Sequence, residues 1–288
     1  MRLPTTRPRG GWRGSPAASS RTATSTAACT ARISGRPRRE QRERFRRSAG
    51  YAVGSRILRA VYGRRELLEV MVDFWSNHFA VSARKGPVSI WLDAYERETI
   101  RPHALGRFED LLSAVARSPA MLFYLDNVRS GVPRSERPLH RVGPGGRTPT
   151  GINENYAREL LELHTLGVHG GYAQADVVAA ARVLTGWSID RTTQRFRFRS
   201  FLHDRGEKRF LGRRAAGSGE DEGRWLLREL ANRPETAHFI STKLARRFVA
   251  DDPPPALVAR VAMRWRETRG SIPAVLETIL LSPELARP

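Results

Sequence analysis

Three short stretches of this chain bring together side chains that can move protons or bind ions. The first, residues 74–79, reads Phe-Trp-Ser-Asn-His-Phe and contains Asn77 and His78. The second, residues 153–163, is rich in carboxylates, and the third, residues 203–208, reads His-Asp-Arg-Gly-Glu-Lys. Imidazole and carboxylate groups are common general acids and bases in enzymes, and both bind divalent metals.

The second stretch predicts an amphipathic helix that begins after Asn153 and stops at Gly167, since Asn is a good N-cap and Gly a common stop. At about 100° per residue, one face of this helix is polar and the other apolar. The polar face carries Glu154, Asn155, Arg158, Glu159, Glu162 and Thr165. The apolar face carries Tyr156, Ala157, Leu160, Leu161, Leu163 and His164. We therefore interpret His164 as a core residue.

The polar face has two interpretations. It could line a cleft in which Arg158 binds an anionic group or holds a carboxylate whose pKa is shifted for acid–base chemistry. The catalytic candidates are then Glu154, Arg158 and Glu159, and the substrate contacts are Asn153, Asn155 and Glu162. The alternative is a solvated helix face, because exposed pairs four residues apart contribute only about 0.2–0.5 kcal/mol each.

His78 lies on a predicted amphipathic helix between Arg64 and Val81. Its imidazole falls within the apolar arc, beside two aromatic rings. Asn77 falls on the border of that arc and is a further candidate for contacting the substrate. A histidine in this position is either a hydrogen-bonded core residue or a general base or metal ligand at the floor of a cleft. The spacing alone does not decide between the two.

The third stretch lies within a predicted β-hairpin. Phe196 and Phe198 alternate with arginines, and the turn residues 204–206 separate them from a second apolar segment, 209–211. In one interpretation Asp204 has only a local role and bonds nearby amides. In the other, His203 and Asp204 approach the polar helix face and form a site of imidazole and carboxylates, with Lys208 contacting the substrate.

The remaining pattern is helical. It predicts a helical stretch over 90–118 that is interrupted at Arg101-Pro102, a short helix from Pro119, a surface loop over 128–150, a helix over 174–185 that starts with Asp176, and further helices after Pro234. We expect a mainly α fold: a single helical domain, residues 45–288, with one small β-hairpin. Residues 1–44, rich in Arg, Ser and Pro, are expected to form a disordered basic leader.

The composition limits the classes of function. The formal charge is +21, but only three of the 50 basic residues are lysine and the first 50 residues carry 13 arginines, so a basic surface and leader explain the charge better than nucleic-acid binding. The single cysteine excludes an intramolecular disulfide and a cysteine-based metal cluster. No apolar run is long enough for a membrane span or has the pattern of an export signal, so the sequence as written predicts a cytoplasmic protein.

The three stretches, together with Leu184-Thr185-Gly186-Trp187, resemble one bacterial family, domain of unknown function 1800. The resemblance covers residues 64–283 and includes Trp-x-Asn-His-Phe, the polar positions of the 153–163 helix, and His203, Asp204 and Lys208 in a His-Asp-x-Gly-x-Lys element. Family members usually have longer ends and some have export signals. The resemblance therefore implies that this sequence is truncated at both ends.

The family brings no settled activity, so the functional hypotheses are our own. The leading hypothesis is an enzyme-like polar cleft acting on an anionic or polysaccharide-type substrate. This hypothesis allows a divalent metal in the cleft but does not require one. The competing hypothesis is a helical binding or scaffold protein for a sulfatase-like exported protein, because members of the resembled family are often encoded beside one. A degraded, non-functional copy is the third.

Overall fold

Most of the described part of the chain is helical. The computed structural model describes residues 38–85, 87–132, 151–190 and 192–286. Within them the α-helices are α1 (Arg38–Tyr62), α2 (Glu66–His78), α3 (Val88–Ala94), α4 (Phe108–Ala116), α5 (Pro119–Tyr124), α6 (Glu154–Glu159), α7 (Gln174–Val183), α8 (Glu220–Ala231), α9 (Pro234–Phe248), α10 (Pro255–Thr268) and α11 (Ile272–Leu280). The mainly α fold class is confirmed.

Two of these helices continue into a wider, π-helical turn. The helix α3 runs into Tyr95–Ile100, and α6 runs into Leu160–Thr165. In the second of these turns the Thr165 hydroxyl donates to the Leu160 carbonyl, five residues earlier, at 2.7 Å. A π turn inside an α-helix is uncommon and is frequently found at functional sites.

Local signals set several helix ends where the sequence predicts them. The Ser118 hydroxyl caps α5 by accepting a hydrogen bond from the Met121 amide at 3.4 Å, and Pro119 follows at the first helical position. Gly167 and Gly186 follow the helical segments that end at Thr165 and Val183, and both have φ of +80°, a left-handed conformation that glycine adopts easily. The surface loop predicted over 128–150 is described only as far as residue 132. Residues 133–150 lie outside the described part of the chain.

The helices enclose one core of buried apolar side chains. Its largest members are Trp75, Trp187, Trp265 and Tyr156, each almost completely buried. The tryptophan Nε1 atoms of Trp75 and Trp265 donate to the backbone carbonyls of Ala104 and Ala231. The C-terminal helices α9, α10 and α11 pack on one another, and α1 lies against α2 and α3.

The described residues form two small antiparallel hairpins, and the predicted strand pairing is wrong. Trp187–Ile189 (β1) pairs with Phe196–Phe198 (β2), and Arg209–Phe210 (β3) pairs with Arg213–Arg214 (β4). The second hairpin turns through Leu211 and Gly212, both at positive φ, which is the conformation of a two-residue hairpin turn. Each strand therefore pairs with its nearest neighbour in sequence.

The first helix begins earlier than the sequence pattern indicates. It starts at Arg38, inside the segment 1–44 that we predicted to be a leader, whereas residues 1–37 lie outside the described part of the chain. Several apolar side chains of this helix face solvent, with Tyr51 67 % and Tyr62 78 % exposed. Ion pairs attach the helix to its neighbours, including Arg59 to Glu96 at 2.6 Å.

Gly223 on α8 is expected to be intolerant of any side chain. A Cβ at this position would lie 2.2 Å from the ring of the buried Trp187. We expect Gly223→Ala to lower the free energy of unfolding by about 3 kcal/mol, through overpacking, as measured by urea denaturation. The matched control is Gly54→Ala on α1, where a Cβ meets nothing within 4 Å. That substitution should stabilise by about 0.5–1 kcal/mol, and equal effects at both glycines would contradict the prediction.

Candidate functional site

The contacts divide the candidate residues into three groups. The lysine–imidazole group consists of His78, His164, Phe239 and Lys243. The His203 group consists of Arg182, Thr185, His203, Asp204, Lys208 and Glu222. The α6 polar face consists of Glu154, Arg158, Glu159, Glu162 and the neighbouring side chains of Tyr172 and Gln174.

His78 is buried, and both of its ring nitrogens contact protein atoms. Its Nε2 lies 3.1 Å from the carbonyl oxygen of His164 and donates to it, which leaves Nδ1 to accept a hydrogen bond from Lys243 Nζ at 2.9 Å. Burial, and then the charge of Lys243, holds the pKa of His78 well below its usual range. The imidazole is therefore neutral at pH 7. Its neighbour Asn77 is exposed.

His164 lies in the core, as predicted. Its ring is buried beside Phe79, with 5.1 Å between ring centroids, and 6.2 Å from the ring of His78. Burial, assisted by Lys243, lowers its pKa to about 3. The carbonyl of His164 belongs to the π turn that follows α6, so the His78 hydrogen bond joins α2 to the end of that turn.

His203 is also buried and neutral. Its Nδ1 donates to the Thr185 carbonyl at 2.9 Å, and its Nε2 lies 3.3 Å from a Glu222 oxygen without making a hydrogen bond of good geometry. Burial lowers the pKa of His203. Neither nitrogen faces open solvent, so the contacts of this imidazole are with groups of the protein itself.

Lys208 and Asp204 complete the His203 group with charged contacts. The side chain of Lys208 is 0 % exposed, and its ammonium donates to Glu222 Oε2 at 2.6 Å and to the Asp204 carbonyl. Asp204 accepts from Arg182 Nε at 2.7 Å and from the Gly206 amide at 2.8 Å. Burial raises the pKa of Asp204, but these donors outweigh it and the net shift is downward.

Thr185 connects two of the sequence motifs. Its hydroxyl accepts from the Asp204 amide at 2.8 Å and donates to the Arg182 carbonyl at 2.6 Å. The next residue, Gly186, leaves no room for a side chain, because a Cβ there would lie 2.6 Å from the Arg199 carbonyl. The 184–187 motif and the 203–208 element thus form one packed unit. A cavity of about 370 Å³ opens beside it, lined in part by Arg182, His203 and Asp204.

Sequence reasoning did not identify Glu222. Glu222 is the third of three acidic residues in the first turn of α8, where carboxylates are common because they interact favourably with the helix dipole. Its position in the sequence therefore does not distinguish it from Glu220 or Asp221. Only the tertiary contact with Lys208 and His203 does so.

The α6 polar face begins at the predicted cap. The Asn153 side chain accepts from the Asn155 amide at 2.9 Å and donates to the Leu125 carbonyl at 3.1 Å, whereas Asn155 itself is exposed. Asp176, predicted to start α7, also caps its first turn. There Asp176 accepts from the Ala173 amide at 2.9 Å and from the Leu211 amide at 2.7 Å.

A chain of polar contacts runs along the α6 polar face. Gln174 on α7 donates to Glu154 at 2.7 Å and accepts from Arg158 at 2.8 Å. Arg158 also lies 3.5 Å from Glu162 and 3.7 Å from Glu154. The guanidinium is therefore already surrounded by acceptors of the protein itself.

Glu159 differs from the other carboxylates of this face. It is half-buried, and within the described residues its carboxylate takes part in no hydrogen bond or ion pair. Burial, and then the negative charge of Glu162, raises its pKa. Burial and the same Glu162 carboxylate also raise the pKa of the Tyr172 hydroxyl.

The local role predicted for the 203–208 element is the one that its contacts show. Asp204 bonds the Gly206 amide and Arg182, and His203 contacts Thr185 and Glu222. The side chains of the α6 polar face, by contrast, hydrogen-bond one another and Gln174. In the part of the chain that the structure describes, no group of three or more His, Cys, Asp or Glu side chains is arranged to hold a metal ion.

The described helices include none that is both long enough and apolar enough to cross a membrane. In comparison with known proteins, the family described as "Protein of unknown function (DUF1800)" matches residues 7–288. No curated protein and no solved structure is significantly similar to the chain. The family match extends well beyond the 64–283 segment on which the sequence resemblance depends.

Proposed function

The chain belongs to the DUF1800 family, and for this member we propose that the α6 polar face performs acid–base chemistry on a hydroxyl-rich, polysaccharide-type substrate. Glu159 is the group that exchanges the proton. The observation that carries the proposal is the contrast between two carboxylates on one helix, Glu159 and Glu162.

The two carboxylates lie in different electrostatic surroundings. Glu162 has the Arg158 guanidinium at 3.5 Å, whereas Glu159 has no cationic partner within the described residues and has a raised pKa. A carboxyl group whose surroundings favour its neutral form can donate a proton, and this is the role that we assign to Glu159. Glu162, which Arg158 contacts, is the neighbouring carboxylate of the site.

The substrate class follows from what the face offers. Arg158 already contacts Glu154, Glu162 and Gln174, so it is not available as a dedicated clamp for an anionic group. The remaining surface consists of carboxylates, amides and the Tyr172 hydroxyl, which are groups that hydrogen-bond sugar hydroxyls. A neutral glycan therefore fits this face better than a phosphate or sulfate ester.

The histidines have a supporting role in this proposal. His78 holds the His164 carbonyl, and with it the end of the π turn that follows α6. His203 and Lys208 fix the packed unit beside α7, whose Gln174 contacts the α6 polar face. No metal is needed for the proposed proton transfer.

A second candidate function is binding of a partner protein, and the exposed apolar side chains of α1 favour it. Tyr51, Ile57, Leu58, Val61 and Tyr62 are each more than half exposed. Apolar side chains gathered on one exposed helix are typical of protein contacts. A sulfatase-like exported protein remains the partner proposed for this surface.

Glu159→Gln should abolish the activity and preserve the fold. We expect hydrolysis of a panel of neutral glycans to fall by about 100-fold or more, because a general acid typically contributes that much. The melting temperature should change by no more than about 2 °C, since an unpaired carboxylate is removed. Activity is read as the release of reducing ends, and stability by thermal denaturation.

The matched control is Glu154→Gln on the same face, which keeps the Gln174 contact as an amide and should retain most of the activity. Full activity in Glu159→Gln, or equal losses in both variants, would refute the assignment of Glu159. A wild-type chain that releases no reducing ends from any glycan would refute the substrate class.

A further inference from the structure

A cavity of about 260 Å³ opens beside the first π turn, Tyr95–Ile100. It shares no lining residue with the α6 polar face or the His203 group. Its walls come from three parts of the chain: α3 with its π turn, the start of α5, and the turn between β1 and β2. The volume lies below the roughly 300–1,000 Å³ of pockets for drug-sized ligands, so the cavity suits a smaller molecule.

Most of the side chains that form the walls are apolar. Trp91, Ala94 and Tyr95 line the cavity at positions i, i+3 and i+4, so all three lie on one face of α3. Pro119 at the start of α5 and Phe196 on β2 add further apolar surface. Such a lining favours a ligand with an apolar body, and the aromatic rings favour an aromatic one.

Two hydrogen-bond donors at this cavity lack a partner within the described residues. The indole Nε1 of Trp91 is buried and makes no hydrogen bond, which is rare for a buried donor and calls for a bound group that accepts from it. The Arg195 guanidinium is exposed and takes part in no ion pair or hydrogen bond. Glu98 also lines the cavity, but its carboxylate already pairs with Arg97 at 2.8 Å.

The turn between β1 and β2 fixes the backbone that carries Arg195. The Asp190 carboxylate accepts from the amides of residues 192 and 193, each at 2.9 Å, and the Asp190 amide donates to the Arg195 carbonyl at 2.8 Å. Gln194 has a φ of +56°, which is uncommon outside glycine and recurs at ligand-binding sites. A turn that is ordered before the ligand arrives reduces the entropy lost on binding.

We propose that this cavity binds a small carboxylate with an aromatic body. The ring of the ligand packs against Trp91, Tyr95 and Phe196, and its carboxylate lies at the mouth, where Arg195 donates to it. A ligand oxygen accepts from Trp91 Nε1. A guanidinium without a protein carboxylate suits an anion, whereas the apolar walls disfavour a strongly hydrated one such as inorganic phosphate. This site is separate from Glu159, and its test is independent of the proposed glycan chemistry.

The test is a titration of the folded full-length chain with phenylacetate and with phenylacetamide, which has nearly the same shape but no charge. The indole N–H signal of Trp91 is followed by nuclear magnetic resonance, and Trp91→Phe identifies that signal by its disappearance. The indole signal of Trp75, which donates to the Ala104 carbonyl in the core, is the internal reference. We expect phenylacetate to shift the Trp91 signal saturably, with a Kd of about 1 mM or lower.

Arg195→Gln should weaken phenylacetate binding by about fivefold or more and leave phenylacetamide binding unchanged, because it removes only the charge-assisted contact. Arg246→Gln, at an exposed arginine outside the cavity, is the control and should bind both probes as the wild type does. Ala94→Leu should prevent binding of both, since its side chain occupies the cavity.

A Trp91 signal that neither probe shifts would overturn the proposal. Equal affinity of the wild type for the two probes, or an Arg195→Gln variant that binds phenylacetate as tightly as the wild type, would overturn the carboxylate contact. Thermal denaturation establishes that each variant is folded. Because Arg195 is exposed, its substitution tests the proposal even if Ala94→Leu does not fold.

Discussion

Replacing Lys208 by methionine should lower the free energy of unfolding by about 3–5 kcal/mol. The ammonium is fully buried and donates to Glu222 and to the Asp204 carbonyl. Methionine fills a similar volume but leaves the Glu222 carboxylate with little solvent and without its cation. Breaking a buried pair by removing one partner carries a cost of this size because the other charge stays buried.

Urea denaturation of the variant and the wild type measures this effect. The matched control is Lys85→Met, which removes an ion pair of the same length, 2.6 Å, at a site where both side chains are about a third exposed. Solvent-exposed pairs contribute about 0–1 kcal/mol, so the control should be far milder. If Lys208→Met lost no more stability than Lys85→Met, the buried Lys208–Glu222 pair of the His203 group would not make the large contribution to stability that we predict.

Acid should unfold this protein through its buried histidines. His78, His164 and His203 each have a pKa below 6.5 in the folded chain, and that of His164 is lowered to about 3. The unfolded chain therefore binds more protons than the folded chain at pH values below about 6.5. Stability is complete above that pH and declines as the pH falls towards 3, at about 1.4 kcal/mol per pH unit for each histidine involved.

The measurement is the unfolding free energy from urea titrations at several pH values between 7 and 4. His164→Phe keeps a ring beside Phe79 but removes one proton-binding site, so its stability should decline less steeply over this range. His169→Phe, at an exposed position, is the control and should follow the wild type. Parallel pH profiles for all three chains would contradict the role assigned to His164.

Local patterns predicted the parts of the fold that depend on neighbours in sequence. The Asn153 cap, the helix start at Pro119 and the glycine stop at Gly167 all occur where the sequence places them. The burial of His78 and His164 also follows from helical periodicity. These features depend on interactions within one or two turns of chain, which the sequence records directly.

The π turn explains the main error in the predicted helix faces. A wheel drawn at about 100° per residue from Glu154 places Leu163 on the apolar face and Thr165 on the polar one. In the structure Leu163 is 48 % exposed and Thr165 is 0 % exposed. A π turn holds more residues than an α turn, so each residue of Leu160–Thr165 advances by a smaller angle. The two residues therefore exchange faces.

The members of the His203 group could not all be found from sequence. The 203–208 element was marked by its residue types, but its partners Thr185 and Glu222 come from a different motif and a different helix. Their meeting depends on how α8 packs against the end of α7. Such long-range packing leaves no periodic or spacing signal in the sequence.

The scarcity of lysine has a consequence for following how this protein folds. Its three ammonium groups lie in three different parts of the structure: Lys85 beside Asp126, Lys208 in the His203 group, and Lys243 against His78. Isotopic enrichment of the lysine Nζ atoms alone would therefore give one nuclear magnetic resonance signal from each of these three regions. Each signal would report when its own region acquires native structure during refolding, without any engineered label.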